Sequence, residues 1–202
     1  MTAFRDLHRS GLLILPNAWD GGSAALMRSL GAKAIATTSA GVAWALGWPD
    51  GDALPVERVV QAARDVVRGA GGLPVSIDME GGYSDDPAEV AALARRLVEA
   101  GAQGINIEDG GGSPEALAAK ISAIRAAVGA ELFINARCDL WLRDVGEAEG
   151  RVAEADLPAE PGDEVEAQRE QDADRHGGEQ GNLIGHAICS PTGPAAAPSA
   201  PG

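Results

Sequence analysis

Aromatic residues are scarce in this chain: 3% of 202 positions, with two Phe and one Tyr. A core must therefore be built from Ala, Val, Leu and Ile. The two cysteines, Cys138 and Cys189, are too few and too unpatterned for a disulfide framework or a zinc site. No run of 18 apolar residues exists, so a transmembrane helix is not expected. The opening MTAFRDLHRSGLLIL has too short an apolar stretch and no clear cleavage site for a secretory signal. Basic residues are in deficit, 16 against 30 acids, for a net charge of −14. That balance argues against a nucleic-acid partner, which selects a basic patch. A soluble cytoplasmic protein with no membrane partner is the expectation.

The charge is uneven. Residues 1–146 hold 18 acids and 13 bases, whereas residues 147–202 hold 12 and 3. Between Asp156 and Gly202 the only aliphatic residues beyond Ala are Leu157, Val165, Leu183, Ile184 and Ile188. Such a segment buries too little apolar surface to offset its ordering entropy. The expected organisation is an ordered domain over 1–155 and a low-complexity, disordered acidic tail over 156–202, with a short helix around 163–173.

The first part has a regular grammar. LLIL (12–15), AIATTS (34–39), LPVSIDME (73–80), GINIED (104–109) and LFINARCD (132–139) are apolar or strand-like. Helical stretches separate them. In PVERVVQAARDVVRGAG, Val56, Val59, Val60, Ala63, Val66 and Val67 recur at helical spacing. Asp86 and Ser113 stand as N-caps before prolines at the first helical position, and Gly101 stands past a helix end. Alternating strands and helices predict βα units and a parallel α/β sheet. An open dinucleotide-type sheet and a TIM-type barrel both satisfy this pattern, but no GxGxxG follows a strand, which weakens the first.

Chemistry gathers at the C-terminal ends of the strands, where such folds place their ligands. Side chains alternate faces along a strand. Ser76, Asp78 and Glu80 share one parity, as do Asn106 and Glu108, Asn135 and Arg137, and Thr37 and Ser39. Asp78, Glu80 and Glu108, with Asp50 from the loop after the second strand, cannot all stay ionised and unpaired at close range. A hard divalent cation resolves this: Mg²⁺, with Mn²⁺ as substitute, prefers carboxylate and water oxygens. Asp78 is the expected direct ligand, the others acting largely through water. Arg137 suits a bidentate anion clamp, although it could equally pair with Glu108. Backbone donors at Ser39, Ala40 and Gly41 complete a site suited to a 2-oxo acid and its enolate. Trp19, Trp44, Trp48 and Trp141 read as packing or loop residues. Gly110–Gly112 reads as a short loop, Cys138 as a small strand-end residue, and His8, His176 and His186 lie away from the strand ends.

LPNAWDGGSAALMRSLGAKAIATTSAGVAWALGWPDG, PVSIDMEGGY, GINIEDG and FINARCDLWLR together resemble the isocitrate lyase/phosphoenolpyruvate mutase superfamily over about residues 4–155. The resemblance implies a (β/α)8 barrel, Mg²⁺, homo-oligomers, and cleavage or formation of a C–C or P–C bond beside a 2-oxo acid. It places Ser39, Ala40 and Gly41, with Thr37 before them, on the substrate segment. Asp50 matches the loop aspartate, Asp78 and Glu80 the acidic pair that is often Asp-x-Asp, Glu108 the acid after strand four and Arg137 the arginine after strand five. Asp50, Glu108 and Arg137 are thereby the expected catalytic groups.

Two departures narrow this. Isocitrate and methylisocitrate lyases carry a Lys-Lys-Cys-Gly-His loop where this chain has GGGSPEALAAK, so those substrates are not expected. After RVAEA (151–155) the text loses any strand pattern, about three βα units before a barrel of roughly 250 residues would close. A reading-frame shift near 145–160 or a lineage-specific tail would produce this. The expected product is a barrel fragment with open edges, prone to aggregation and impaired in assembly. Its expected function is that of a Mg²⁺-dependent lyase-type enzyme, with a non-catalytic truncated product or 2-oxo-acid binder as the alternative.

Overall fold

The computed structural model describes residues 4–9, 11–137 and 139, together with the backbone of 164–167 and 186–190. A short 3₁₀ helix, Phe4–His8, precedes five βα-type strands and their helices. These are β1 (Asn17–Ala18), α1 (Gly21–Ser29), β2 (Ile35–Thr37), α2 (Ser39–Ala45), α3 (Val56–Ala70), β3 (Val75–Asp78), α4 (Pro87–Glu99), β4 (Gly104–Glu108), α5 (Pro114–Val128) and β5 (Phe133–Arg137). The five strands are parallel and lie in the order β1-β2-β3-β4-β5. A doubly wound sheet reverses direction at a switch point, whereas a barrel adds each strand on the same side. The observed order is that of five successive units of a barrel, which resolves the choice the periodicity left open.

Local chemistry starts and stops the helices as the sequence predicts. The Asp86 carboxylate accepts the Ala88 N–H at 2.9 Å, and the Ser113 hydroxyl accepts the Ala116 N–H at 3.3 Å. α3 ends at Gly71 in the left-handed conformation (φ 59°). Its buried stripe of Val59, Val60, Ala63, Val66 and Ala70 packs with the strand residues Ile35, Val75, Ile77, Ile105, Ile107 and Ile134 to form the main core between sheet and helices. α1 and α3 cross closely: a Cβ on Gly69 would stand 2.2 Å from the Gly21 carbonyl oxygen. Only glycine allows that approach.

A second, smaller cluster fills the opposite face of the sheet at its N-terminal end. Phe4 and Phe133 meet edge to face, centroids 5.1 Å apart, beside Ala34, Leu7 and Leu15. His8 stacks on Phe133 at 4.3 Å. Gly104 makes room for this plug, since a Cβ there would lie 2.8 Å from the Phe4 ring.

Three expectations change. LLIL is not the first strand: Leu12 and Ile14 are 89% and 73% exposed, and pairing begins at Asn17, after Pro16, which lacks an N–H to donate. The loop expected after β2 contains a helix, α2, which Ser39 opens. Strand parity therefore does not extend to Ser39. In the acidic tail, the structure places β6 (Glu164–Ala167), within the stretch expected to hold a short helix, and β7 (His186–Ser190). β7 runs antiparallel to β5 and to β6, so the β5 edge is paired instead of open. Antiparallel addition needs only backbone groups, which explains why apolar content did not announce it. The rest of 156–202, Cys138 and the expected boundary at 155 lie outside the described residues. Among the described residues no helix is long and apolar enough to cross a membrane.

Candidate active site

The register stacks like with like on the inner face of the sheet. Asp78 pairs with Asn106, Asn106 with Asn135, and Glu108 with Arg137. Each strand thus brings its polar parity to the same level. The side chains then bond in a row. The Asn135 amide donates to Asn106 Oδ1 at 2.7 Å, and the Asn106 amide donates to Asp78 Oδ1 at 3.1 Å. The Asp78 carboxylate also accepts the Glu80 N–H on Oδ1 (3.2 Å) and the Ser39 N–H on Oδ2 (3.1 Å). A carboxylate offers about four lone-pair sites. Three are used here, which leaves one acceptor direction on Oδ2.

Thr37 has another place than the parity reading gave it. It continues the Ile35↔Val75 register on the helix side of the sheet, is 7% exposed, and its hydroxyl accepts the Asp78 N–H at 2.8 Å. It holds the strand that carries Asp78. With Ser39, Ile77, Asp78 and Tyr83 it also lines a small cavity of ≈ 10 Å³, room for one water. Ala40 and Gly41 form the first turn of α2, where a Cβ on Gly41 would meet Thr38 at 2.7 Å and the Trp19 side chain at 3.4 Å.

Arg137 is engaged twice. It forms an ion pair with Glu108, and its Nε and Nη2 donate to the Asp139 carboxylate at 2.6 and 3.0 Å. Asp139 is itself buried, and its N–H is accepted by Asp109 at 3.1 Å. The fork that was expected to clamp a substrate carboxylate thus holds two protein carboxylates, one of them the Glu108 foreseen as its pairing partner.

Glu80 is 5% exposed. Its carboxylate accepts the Asp52 N–H and, at 2.5 Å, the Tyr83 hydroxyl. Burial pushes its pKa above the ordinary glutamate value, with the negative charges of Asp52 and Asp50 adding to the effect and the two donors opposing it. Asp52 is raised for the same leading reason, desolvation. Asp50 is exposed on the loop between α2 and α3. No hydrogen bond among the described residues joins it to Asp78, Glu80 or Glu108.

The four candidate carboxylates therefore do not form one cage. Among the described residues no three His, Cys, Asp or Glu side chains group closely enough to hold a metal by themselves. The donor set fits a different arrangement. One carboxylate, Asp78, has a free acceptor direction, and an Mg²⁺ that keeps most of its waters needs only one or two such donors. Sequence reasoning missed three residues here, Asp52, Tyr83 and Asp139, and placed Asn106 and Asn135 on the polar parity without giving them a role. The two asparagines and Asp139 carry a legible signal, period-2 spacing from Glu108 and Arg137. Tyr83 and Asp52 carry none.

An inner face of parallel strands whose C-terminal ends present carboxylates, amides and an arginine defines a barrel-type α/β protein with a polar site at the strand ends. The profile of the phosphoenolpyruvate phosphomutase family matches residues 4–156, and this chain belongs to that family. An uncharacterized protein of Mycobacterium tuberculosis (strain H37Rv) is 39% identical over 163 residues, 76% of this chain and 59% of that one. A crystal structure from Burkholderia cenocepacia J2315, provisionally named a phosphonomutase, is 37% identical with a TM-score of 0.69, covering 75% of this chain and 67% of that one. Oxaloacetate acetylhydrolase in complex with the product oxalate is 27% identical with a TM-score of 0.64, covering 74% and 57%. The chain spans about three fifths of the length of the M. tuberculosis relative. Its relatives include lyases and mutases that act on small acids.

Proposed function

We propose that this chain is a Mg²⁺-dependent lyase-type enzyme that acts on a small 2-oxo acid, breaking or making a bond beside the oxo group. The observation that supports it is the Asp78 carboxylate, held by Ser39, Asn106 and Glu80 with one acceptor direction unused, on the same inner face as Arg137. Asp78 would hold the ion directly, and Glu108 and Asp50 would act through its waters. The bound ion would supply Lewis-acid polarisation of the oxo group and stabilise developing enolate charge. Arg137 would bind the substrate carboxylate by exchanging one of its two protein carboxylates for it. Ser39 fixes the orientation of Asp78 through its backbone N–H. The Asn135–Asn106 row does the same from the other side, so the carboxylate is already oriented before substrate arrives. Oxaloacetate acetylhydrolase, a relative that binds oxalate, supports small dicarboxylic or 2-oxo acids as the class to test.

A second reading has an observation of its own. Arg137 is already engaged by both Glu108 and Asp139, which favours a non-catalytic binder of 2-oxo acids with no turnover. Calorimetric titration with pyruvate, oxaloacetate and 2-oxoglutarate, with and without Mg²⁺, tests binding. Pyruvate release from candidate acids tests turnover. Metal-dependent binding with turnover supports the enzyme, and binding alone supports the second reading. Asp78→Ala retaining the full metal-dependent signal would remove the assigned site.

A further inference from the structure

Among the described residues, three that are not glycine have positive φ: Asp52 (56°), Glu80 (52°) and Tyr83 (61°). Left-handed backbone is costly for side chains of this size, and it persists only where surroundings over-determine it. The three bond to one another in a closed triangle. Glu80 accepts the Asp52 N–H on one oxygen and the Tyr83 O–H on the other, and the Asp52 carboxylate accepts the Tyr83 N–H at 3.2 Å. The triangle spans two loops. Asp52 lies two residues after Asp50, and Glu80 two residues after Asp78. The Glu80 backbone ties both neighbouring strands together: its N–H donates to Asp78 Oδ1 at 3.2 Å and its carbonyl accepts the Glu108 N–H at 3.0 Å. Lys120 pins the same loop from α5, donating to the Gly81 carbonyl at 2.8 Å. Tyr83 also lines the one-water cavity beside Asp78.

We propose that Asp52, Glu80 and Tyr83 are positioning residues, a lock that holds the Asp50 loop over the end of β3. Glu80 acts through this lock and not as a direct metal donor, since its buried carboxylate is turned to the Asp52 N–H and the Tyr83 hydroxyl, one on each oxygen. The inference rests on the reading of Asp78 as the metal-holding carboxylate.

The test uses the full chain, with Mn²⁺ as probe. Amide hydrogen exchange is followed in wild type, Tyr83→Phe and Glu80→Gln, alongside the Mn²⁺ dissociation constant by electron paramagnetic resonance and thermal melting. In Tyr83→Phe, exchange at the Asp52 and Tyr83 amides is expected to quicken about tenfold, as the loss of one hydrogen bond requires, while amides of β3 and α3 hold. Mn²⁺ affinity is expected to fall about three- to tenfold with little change in melting, a split that a merely structural role would not produce. Glu80→Gln keeps one acceptor oxygen and is expected to give the same pattern; it carries the test if Tyr83→Phe does not fold. Unchanged exchange at Asp52 in both variants overturns the lock. Loss of Mn²⁺ binding in Glu80→Gln with none in Tyr83→Phe makes Glu80 a direct donor and overturns its assignment. If wild type binds no Mn²⁺ yet exchange responds, the lock stands and the reading of Asp78 as metal ligand falls.

Discussion

The inner face of the five parallel strands has two ends with opposite chemistry. Near the strand starts it presents Ala34, Gly104 and Phe133, closed off by Phe4 and His8. Two to four residues further along β4 and β5 it presents Asn106, Glu108, Asn135 and Arg137, with Asp78 of β3 level with Asn106. Two residues of strand span only about 7 Å, so an apolar plug and a polar site share one narrow interior. The plug buries rings against a glycine and removes the need for polar partners. The site leaves carboxylates and an arginine that must satisfy one another until a ligand arrives. Within this face apolar packing lies at one end and chemistry at the other, and changes at one should leave the other's signature intact.

Phe4→Ala breaks that comparison most severely. It should cost about 3 kcal/mol in urea unfolding, because Phe4 is buried against Phe133 and Gly104, and should leave Mn²⁺ affinity of the folded protein unaltered. Its mirror image is Asp78→Ala, expected to lower Mn²⁺ affinity roughly a hundredfold, about 2.7 kcal/mol, with a small effect on unfolding. If each change moved both readouts equally, the two ends would be one coupled unit. Gly104→Ala is a milder probe of the plug. The new methyl group would lie 2.8 Å from the Phe4 ring, and the overpacking should cost about 1–2 kcal/mol by the same unfolding curves.

The smallest effect is a difference in sign with pH. Burial lowers the pKa of His8. The folded plug then disfavours the proton, so its contribution to stability is present above about pH 6.5 and is lost as pH falls below it. Burial raises the pKa of Glu80. The folded site there favours the proton, so stability is greatest below about pH 4.3 and declines as pH rises past the ordinary glutamate range. Unfolding free energies measured across pH 4–8 should show two limbs of opposite slope. His8→Leu should remove the upper limb and Glu80→Gln the lower. A lower limb that survives Glu80→Gln would assign it to Asp52, whose pKa is also raised by burial.

Much of the ordered domain was legible from residue order. Capped helices at Asp86 and Ser113, glycine stops and alternating strands follow from local physics, and the structure keeps the caps, the stops and four of the five strands, the first moving from LLIL to Asn17–Ala18. The polar parity of β3, β4 and β5 correctly marked the inner face. It failed at Thr37 and Ser39, since β2 ends at Thr37 and a helix starts where parity was being counted. Charge alone could show that Asp50, Asp78, Glu80 and Glu108 needed partners. Strand spacing offered Arg137 to Glu108, which the β4–β5 register bears out, but it could not show the partners of Glu80, because Tyr83 and the Asp52 N–H reach it only through loop geometry.

Residue order therefore determined the βα grammar, the position of the polar site at the strand ends and the family to which the chain belongs. The first two depend on period, caps and turns, which act over a few residues, and the third on the motifs that resemble the family, from LPNAWDGG to FINARCDLWLR. Only the tertiary structure decided that the strands add in one direction as in a barrel, that β7 pairs the β5 edge, and that Glu80 turns to Tyr83 while Asp78 keeps an open acceptor. Each of those depends on contacts between segments tens of residues apart, where left-handed backbone at Asp52, Glu80 and Tyr83 and the register between strands set which side chains meet.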